Sequence, residues 1–261
     1  MNNRILKLLA TPALVFLTAC TTVAPFPTTL DQVANSAPAQ RSLAVEQWQT
    51  EQGADVRFVA SPNLPIVDVR VVFDAGSARD GDLAGVASMT SAMIGEGATG
   101  MTVDDIARGF EDLGVIFGSA SYRDMAVVEM RSLSDSQYLD PAIDLFAQVV
   151  GKADFPYRSL ERLRAQRLTS LQQDRQIPGP QVSKAYYQLL FGDHPYGHPS
   201  EGTEESVARI ERQHLRAFWQ QYYTAANAVI AITGDLSGEE ARDLARRISS
   251  ILPQGDAAPT L

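Results

Sequence analysis

Cysteine is almost absent from this chain of 261 residues: Cys20 is the only one, so no disulfide can form within the chain. The N terminus lacks a long apolar run, because residues 8–17 are too few to cross a bilayer as a stable helix. Positive charge is scarce, with 22 basic against 31 acidic residues and a formal net charge of −9. This balance argues against nucleic acid and anionic lipid surfaces as partners.

The first twenty residues have the features of a targeting segment. Arg4 and Lys7 precede the short apolar run, which ends in Leu17-Thr-Ala-Cys20 and resembles the bacterial lipoprotein signal box. We therefore predict that residues 1–19 are a signal peptide and that Cys20 carries lipid, which would hold the chain at a membrane through the anchor alone. The alternative is an ordinary secretory signal in which the cysteine occurs by chance.

The residue after the cysteine is Thr21 rather than aspartate, which by analogy with the bacterial sorting rule favours the outer membrane. The expected location is the periplasm of a Gram-negative bacterium, with a lipid anchor. Removal of residues 1–19 leaves 20 basic and 31 acidic residues, a net charge of −11. Residues 20–42 are rich in proline and small polar residues, which predicts a flexible tether.

The remaining chain predicts one α+β domain over residues 43–252, enough for a core of ordinary size. The predicted strands cover residues 45–50, 56–60, 66–73, 115–122, 125–133 and 227–233. The predicted helices cover residues 83–94, 102–113, 141–150, 156–173, 181–191, 211–223 and 237–251. Residues 253–261, which begin Pro-Gln-Gly-Asp, have the composition expected at the start of an inter-domain linker.

Three stretches carry a family resemblance. A strand-like run at 66–73 leads through a glycine-rich turn into the small-residue helix at 83–94. Gly192-Asp-His-Pro-Tyr-Gly-His-Pro is followed by Gly202-Thr, and the third stretch runs from Phe218 to Gly234-Asp235 through Tyr222-Tyr and Asn227-Ala. In this order the stretches resemble the insulinase/pitrilysin family of zinc peptidases, which includes the mitochondrial processing peptidases. The resemblance implies a mostly antiparallel sheet with helices packed on it.

In active members of that family the small-residue helix carries the zinc motif His-x-x-Glu-His. The two histidine positions correspond to Ser88 and Ala92, and the glutamate position corresponds to Ser91. A glutamate on a later helix is the third zinc ligand, and Thr169 stands at its place. Zinc needs imidazole, thiolate or carboxylate donors, and the attacking water needs a base. The resemblance therefore implies a member with no catalytic residues, no metal ligands and no cofactor.

Members of the family often work as one catalytic and one non-catalytic chain, so the resemblance implies a catalytic insulinase-family subunit as partner and an extended peptide as shared substrate. Two alternatives remain open. One is an active zinc-dependent endopeptidase with atypical ligands such as His194 and His198. The other is a free-standing surface-binding lipoprotein that has no peptidase partner.

Other candidate residues favour structural roles. Pro195, Gly197 and Pro199 interrupt the segment around His194 and His198, which predicts a loop whose imidazoles make local hydrogen bonds. His214 is expected to be structural or exposed, and Glu96 an exposed turn residue rather than a displaced ligand. A serine nucleophile at position 88 or 91 lacks a nearby activating residue in the sequence. Five arginines are expected to form a solvated helix face or to meet an acidic partner: Arg158, Arg162, Arg164, Arg167 and Arg175.

Overall fold

The computed structural model describes residues 43–261, so the signal peptide, Cys20 and the tether up to residue 42 lie outside the described residues. Its main sheet has six strands in the order β1-β2-β8-β3-β7-β6, and β4 and β5 form a separate two-stranded ribbon. The strands are Glu46–Gln49 (β1), Asp55–Ala60 (β2), Ile66–Phe73 (β3), Gly97–Ala98 (β4), Met101–Thr102 (β5), Ile116–Ser121 (β6), Ala126–Leu133 (β7) and Ala228–Gly234 (β8).

Four of the five strand pairs in the main sheet are antiparallel, and only β2 and β8 run parallel. The strands predicted at 45–50 and 56–60 pair as β1–β2, and those predicted at 115–122 and 125–133 pair as β6–β7. Strand β8 lies between β2 and β3 in the middle of the sheet. The α+β class with a mostly antiparallel sheet is therefore confirmed.

The sheet is buried on one face only. In β3 the side chains of Val67, Val69, Val71 and Phe73 are buried, whereas the alternate positions face outward. This period of two is the pattern that places every second side chain against a core. The outward face carries two cross-strand ion pairs, Arg70 with Glu129 of β7 and Arg131 of β7 with Asp68. These pairs are exposed and contribute little to stability.

Eight α-helices are present in the described part of the chain. They are Val86–Met93 (α1), Val103–Asp112 (α2), Ser136–Gly151 (α3), Tyr157–Asp174 (α4), Pro178–Phe191 (α5), Glu204–Arg209 (α6), Arg212–Tyr222 (α7) and Gly238–Ile251 (α8). Helices α2 and α8 each begin with a capping box, at Thr102 and at Ser237. Gly114 follows the end of α2 with φ of +65°, which glycine adopts without strain.

One helix start was predicted wrongly. The sequence predicts a helix from Pro141, but α3 begins five residues earlier at Ser136. The Asp135 carboxylate accepts a hydrogen bond from the backbone N–H of Gln137 at 2.9 Å, which caps this earlier start. Pro141 therefore lies inside the helix, where it supplies no N–H of its own.

Helices α3 and α8 pack together beside the sheet and form a large part of the core. Gly151, the last residue of α3, lies so close to α8 that an added Cβ would be 2.5 Å from the carbonyl oxygen of Ile251. The indole N–H of Trp219 in α7 donates to the carbonyl of Val150 at 3.0 Å, which ties α7 to the same helix end. None of the helices within residues 43–261 has the length and apolar character needed to cross a membrane.

Residues 253–261 contain no helix or strand, yet they are bound to the domain. The backbone N–H of Ala225 donates to Pro253, and the Thr224 hydroxyl donates to the carbonyl of Asp256, both at 3.1 Å. The N–H of Ala258 donates to the Asn227 side chain at 3.0 Å. The start of an inter-domain linker stays a prediction for this segment, which here lies along the end of α7 and the beginning of β8.

Candidate functional site

Helix α1, which carries the three motif positions, is held at its N terminus by a buried carboxylate. Asp80 accepts hydrogen bonds from the backbone N–H groups of Gly85 at 2.7 Å and Ala87 at 2.8 Å. Burial raises the pKa of Asp80 to about 7, although these two hydrogen bonds act in the opposite direction. Gly85 itself has φ of +92° and lies against Gly202, so a side chain there would be strained.

The loop 192–203 closes over the beginning of α1. The His198 ring nitrogen Nδ1 lies 3.8 Å from the Asp80 carboxylate. The Ser206 hydroxyl, at the start of α6, donates to the carbonyl of Ala84 at 2.7 Å. These contacts fix α1 relative to a segment more than a hundred residues later in the chain.

Ser88 takes part in a network that joins three parts of the chain. Its buried hydroxyl donates to the Glu201 carboxylate and accepts from the Arg167 guanidinium of α4, both at 3.1 Å. Arg167 and Glu201 also form an ion pair with each other. Burial lowers the pKa of Arg167, while the nearby Asp174 acts in the opposite direction. The network therefore connects α1, α4 and loop 192–203 through charge-assisted hydrogen bonds.

Ser91 is buried against Tyr223 and edge strand β6. The hydroxyls of Ser91 and Tyr223 are both buried, and neither has a hydrogen-bond partner in the described structure. Burial raises the pKa of Tyr223, with Ser91 acting in the opposite direction. The Ser91 carbonyl accepts a hydrogen bond from the Ser119 hydroxyl of β6 at 2.9 Å. No imidazole or carboxylate is bonded to Ser91 in the described structure, so the arrangement does not resemble an activated nucleophile.

The last two motif positions lack suitable metal donors. Ala92 is half-buried and has no donor atom, and Thr169 is exposed on α4. The Thr169 hydroxyl donates to the carbonyl of Ala165 at 2.9 Å, within its own helix. The α4 side chain that reaches Ser88 is therefore Arg167, a cation, rather than Thr169. Together with the Ser88 network, this donor set does not fit zinc.

Among residues 43–261 there is no group of three or more His, Cys, Asp or Glu side chains placed to hold a metal ion. His194 accepts a hydrogen bond from the N–H of Tyr196 at 3.2 Å, which confirms the predicted local bonding in that loop. His214 accepts from the N–H of Glu211 at 3.0 Å and so caps α7. The structure brings His198 next to Asp80 but gives the pair no third donor.

Two other sequence interpretations change. Glu96 forms an ion pair with Arg162 instead of standing free in a turn. The predicted solvated arginine face is largely paired within the chain, because Arg164 binds Glu161 and Arg175 binds Glu204. Arg167, grouped with that face in the sequence, belongs to the Ser88 network.

A small cavity lies beside the network, between loop 192–203 and α5. Its volume is about 170 Å³, and its lining includes Glu201, His198, Tyr187 and Lys184. This is below the roughly 300–1,000 Å³ of typical small-molecule pockets. Helix α5 and the motif helix α1 thus approach the same loop from different sides.

Comparisons with known proteins show what this chain resembles. A curated relative from Rickettsia felis, an "Uncharacterized zinc protease", is 22% identical over 202 residues, which are 76% of this chain and 48% of the relative. "Cytochrome b-c1 complex subunit 1, mitochondrial" of Bos taurus is 25% identical over 229 residues, 85% of this chain and 47% of the relative. The chain thus spans about half the length of the curated relatives it matches.

A crystal structure of a peptidase M16 inactive domain from Pseudomonas fluorescens is 45% identical, with a TM-score of 0.82 over 83% of this chain and 53% of that chain. Residues 209–260 match the family model described as the peptidase M16 inactive domain. Residues 56–204, which include the motif helix α1 and the whole of α4, match the model described as insulinase, peptidase family M16. The chain belongs to the insulinase family of peptidases, M16.

Proposed function

We propose that the protein is a non-catalytic insulinase-family subunit that pairs with an active zinc peptidase subunit and helps to bind an extended peptide. The observation that carries this proposal is the Ser88 network. At one motif position the serine hydroxyl is fully engaged by Arg167 and Glu201, and Ala92 and Thr169 offer no ligand in its place. The family fold is thus kept around a position that does not suit zinc.

The relatives support a role in an assembly as well as a role in proteolysis. The Rickettsia felis relative is named a zinc protease, whereas the Bos taurus relative is named a subunit of a cytochrome b-c1 complex. The Pseudomonas fluorescens structure is described as an inactive domain. A family with these members can use one fold for catalysis and for subunit packing, and the lack of zinc donors at positions 88, 92 and 169 favours the second use for this chain.

Edge strand β6 is the natural place for the peptide. Within residues 43–261 it pairs only with β7, so its other side offers backbone groups that no other described strand uses. It also contacts α1 through the hydrogen bond from Ser119 to Ser91. An extended peptide that adds to this edge would gain backbone hydrogen bonds and would run beside the motif helix.

Site-specific photo-crosslinking tests the peptide position. We expect a crosslinker at the exposed Ile116 in β6 to capture an extended peptide in the presence of the catalytic subunit. The matched control is a crosslinker at Val45, which is exposed beside β1 at the opposite edge of the sheet. Equal capture at both edges would contradict binding at β6.

Metal analysis tests the non-catalytic role. We expect the purified protein to contain no stoichiometric zinc and to cleave no peptide without its partner. One equivalent of zinc with chelator-sensitive cleavage would refute this. The variant His194→Ala/His198→Ala then tests the alternative of a zinc-dependent endopeptidase with atypical ligands. An enzyme that uses these two histidines as ligands would lose its metal in this variant, whereas the non-catalytic subunit would be unaffected.

The location remains part of the proposal. We place the protein in the periplasm, anchored to the outer membrane through lipid on Cys20, on the basis of the sequence box before that residue. The variant Cys20→Ala should move the protein from the membrane fraction to the soluble fraction. If the variant stays with the membrane, lipid on this residue is not the anchor. If the protein works without any peptidase partner, the free-standing binding lipoprotein becomes the better description.

A further inference from the structure

Helix α5 carries an apolar stripe that the described domain leaves uncovered. No residue of α5 is buried. Four apolar side chains follow the spacing i, i+4, i+7 and i+8, which places them on one face of the helix. With their exposed fractions they are Val182 (66%), Tyr186 (58%), Leu189 (89%) and Leu190 (57%).

The opposite face of α5 holds the helix on the domain. Arg123 from the β6–β7 turn stacks on the ring of Tyr187 with its guanidinium carbon 3.7 Å from the ring centre. The ring of Phe191 stacks on Tyr187 and packs edge-on against Tyr196 of loop 192–203. Lys184 lies 3.8 Å from the carboxylate of Asp174 in α4. The stripe therefore points away from the contacts that position α5.

The size of the stripe fits a protein interface. Its four side chains expose on the order of 500 Å² of mostly apolar surface, in the upper range for the largest patch of a monomer, and such patches are often functional. This is more than half of the roughly 800 Å² that one partner contributes to a standard interface. Neighbouring surface would supply the remainder.

The charges around the stripe favour a protein partner over a lipid surface. Lys184 is the only charged residue between positions 177 and 192, and it lies on the opposite face, paired with Asp174. Helices that lie in a membrane interface carry lysine and arginine along their polar face. The centre of a protein–protein interface is instead depleted of charge and enriched in aromatic residues. Tyr186 in the middle of an uncharged stripe matches the second pattern.

We propose that this apolar stripe is the surface on which the catalytic insulinase-type subunit docks. The inference rests on the proposed function and specifies which face of the protein the partner takes. Helix α5 borders the same small cavity as Glu201, which binds Ser88 of the motif helix. A subunit seated on the stripe would therefore lie against the outer face of the helix whose inner face borders the Ser88 network.

The test uses the full-length protein and the insulinase-family subunit of the same organism that carries an intact His-x-x-Glu-His motif. The stripe variant is Tyr186→Asp/Leu189→Asp, which buries two charges in any complex formed through this face. The matched control is Leu64→Asp, a similarly exposed leucine in the loop between β2 and β3. All these side chains are exposed, so thermal melting should be unchanged and should show that each variant is folded. Sedimentation velocity measures the complex and the self-association of each chain.

We expect the stripe variant to bind the catalytic subunit at least about tenfold more weakly, and the control to bind like the unchanged protein. If both bind equally well, the docking surface is wrong while the proposed function stands. If the unchanged protein forms no complex with that subunit, both fail. If the stripe variant instead abolishes self-association, or binding to vesicles of neutral phospholipid, the occupant is a second copy or a membrane and the inference is overturned.

Discussion

Asp80 shows how a single buried carboxylate can couple the fold to pH. Its side chain is fully buried and accepts two backbone hydrogen bonds at the start of α1, and burial raises its pKa to about 7. In the unfolded chain the pKa is about 3.9. Between these two values the folded protein holds a proton that the unfolded chain has released. The free energy of unfolding contributed by this group is therefore highest at low pH and is lost as pH rises towards 7.

The variant Asp80→Asn tests this coupling. It cannot ionise, so the difference in unfolding free energy between the unchanged protein and the variant should fall by about 2 kcal/mol between pH 5 and pH 8. Urea unfolding at several pH values measures the difference. His198 faces the carboxylate, and the variant His198→Gln shows whether the pH dependence requires this neighbour. A difference that does not change with pH would show that Asp80 is ionised throughout.

The Ser88 network leads to a second prediction at the scale of single residues. Arg167→Met keeps the aliphatic stem but removes the ion pair with Glu201 and the hydrogen bond to Ser88. Because the pair is partly exposed, we expect a loss of only about 1 kcal/mol in unfolding free energy. Arg209→Met is the matched control, since Arg209 and Glu205 form a far more exposed pair and should contribute almost nothing. Equal losses in the two variants would argue against a structural role for the network.

These residues also mark what the sequence could not predict about the site. The motif positions 88, 91, 92 and 169 follow from local pattern and family resemblance. Arg167 and Glu201 meet Ser88 across 79 and 113 residues of sequence, and nothing in the local pattern indicates such contacts. Asp80 has the appearance of an ordinary turn aspartate until its burial is known. Side-chain networks depend on tertiary packing, so they become visible only with the fold.

At the scale of elements, prediction succeeded where the signal is local and strong. Strand β3 was predicted with its observed bounds because its apolar and polar side chains alternate over the middle of the strand, and the helix after Thr102 because its capping box is explicit. Helix α6 was missed because it has only six residues, although Thr203 caps it in a Thr-x-x-Ser arrangement. The start of α3 was misplaced because Pro141 is a stronger local signal than the Asp135 cap that actually begins the helix.

The contact between α3 and α8 provides a test of element packing. In Gly151→Ala the new Cβ would lie 2.5 Å from the backbone of Ile251, so one helix must shift, and we expect a loss of about 1–3 kcal/mol. Gly179→Ala is the matched control, because no atom lies within 4 Å of its added Cβ in α5. That change should be neutral or stabilise the helix by up to about 1 kcal/mol. Chemical denaturation measures the unfolding free energy of both variants. Equal values would show that α3 and α8 can move apart without a loss of stability.

For the whole molecule, the sheet has one covered face and one open face. Helices bury the side of β3 that carries Val67 to Phe73, while paired arginine and carboxylate side chains occupy the other side. Edge strand β6, the motif helix α1 and the apolar stripe of α5 are separate features of this domain: β6 is an edge of the main sheet, α1 is mostly buried, and the stripe is exposed.

The segment after α8 is the last whole-molecule feature that can be tested. Residues 253–259 satisfy the backbone of Ala225 and the side chains of Thr224 and Asn227, and Asn227 in turn donates to the carbonyls of Asp74 and Tyr222. Deletion of residues 253–261 removes these partners and should lower the unfolding free energy by about 1–3 kcal/mol, measured by urea unfolding. Deletion of residues 260–261 alone keeps all these bonds and should have no effect. If the longer deletion is also silent, the segment is not part of the folded unit and the linker interpretation is favoured.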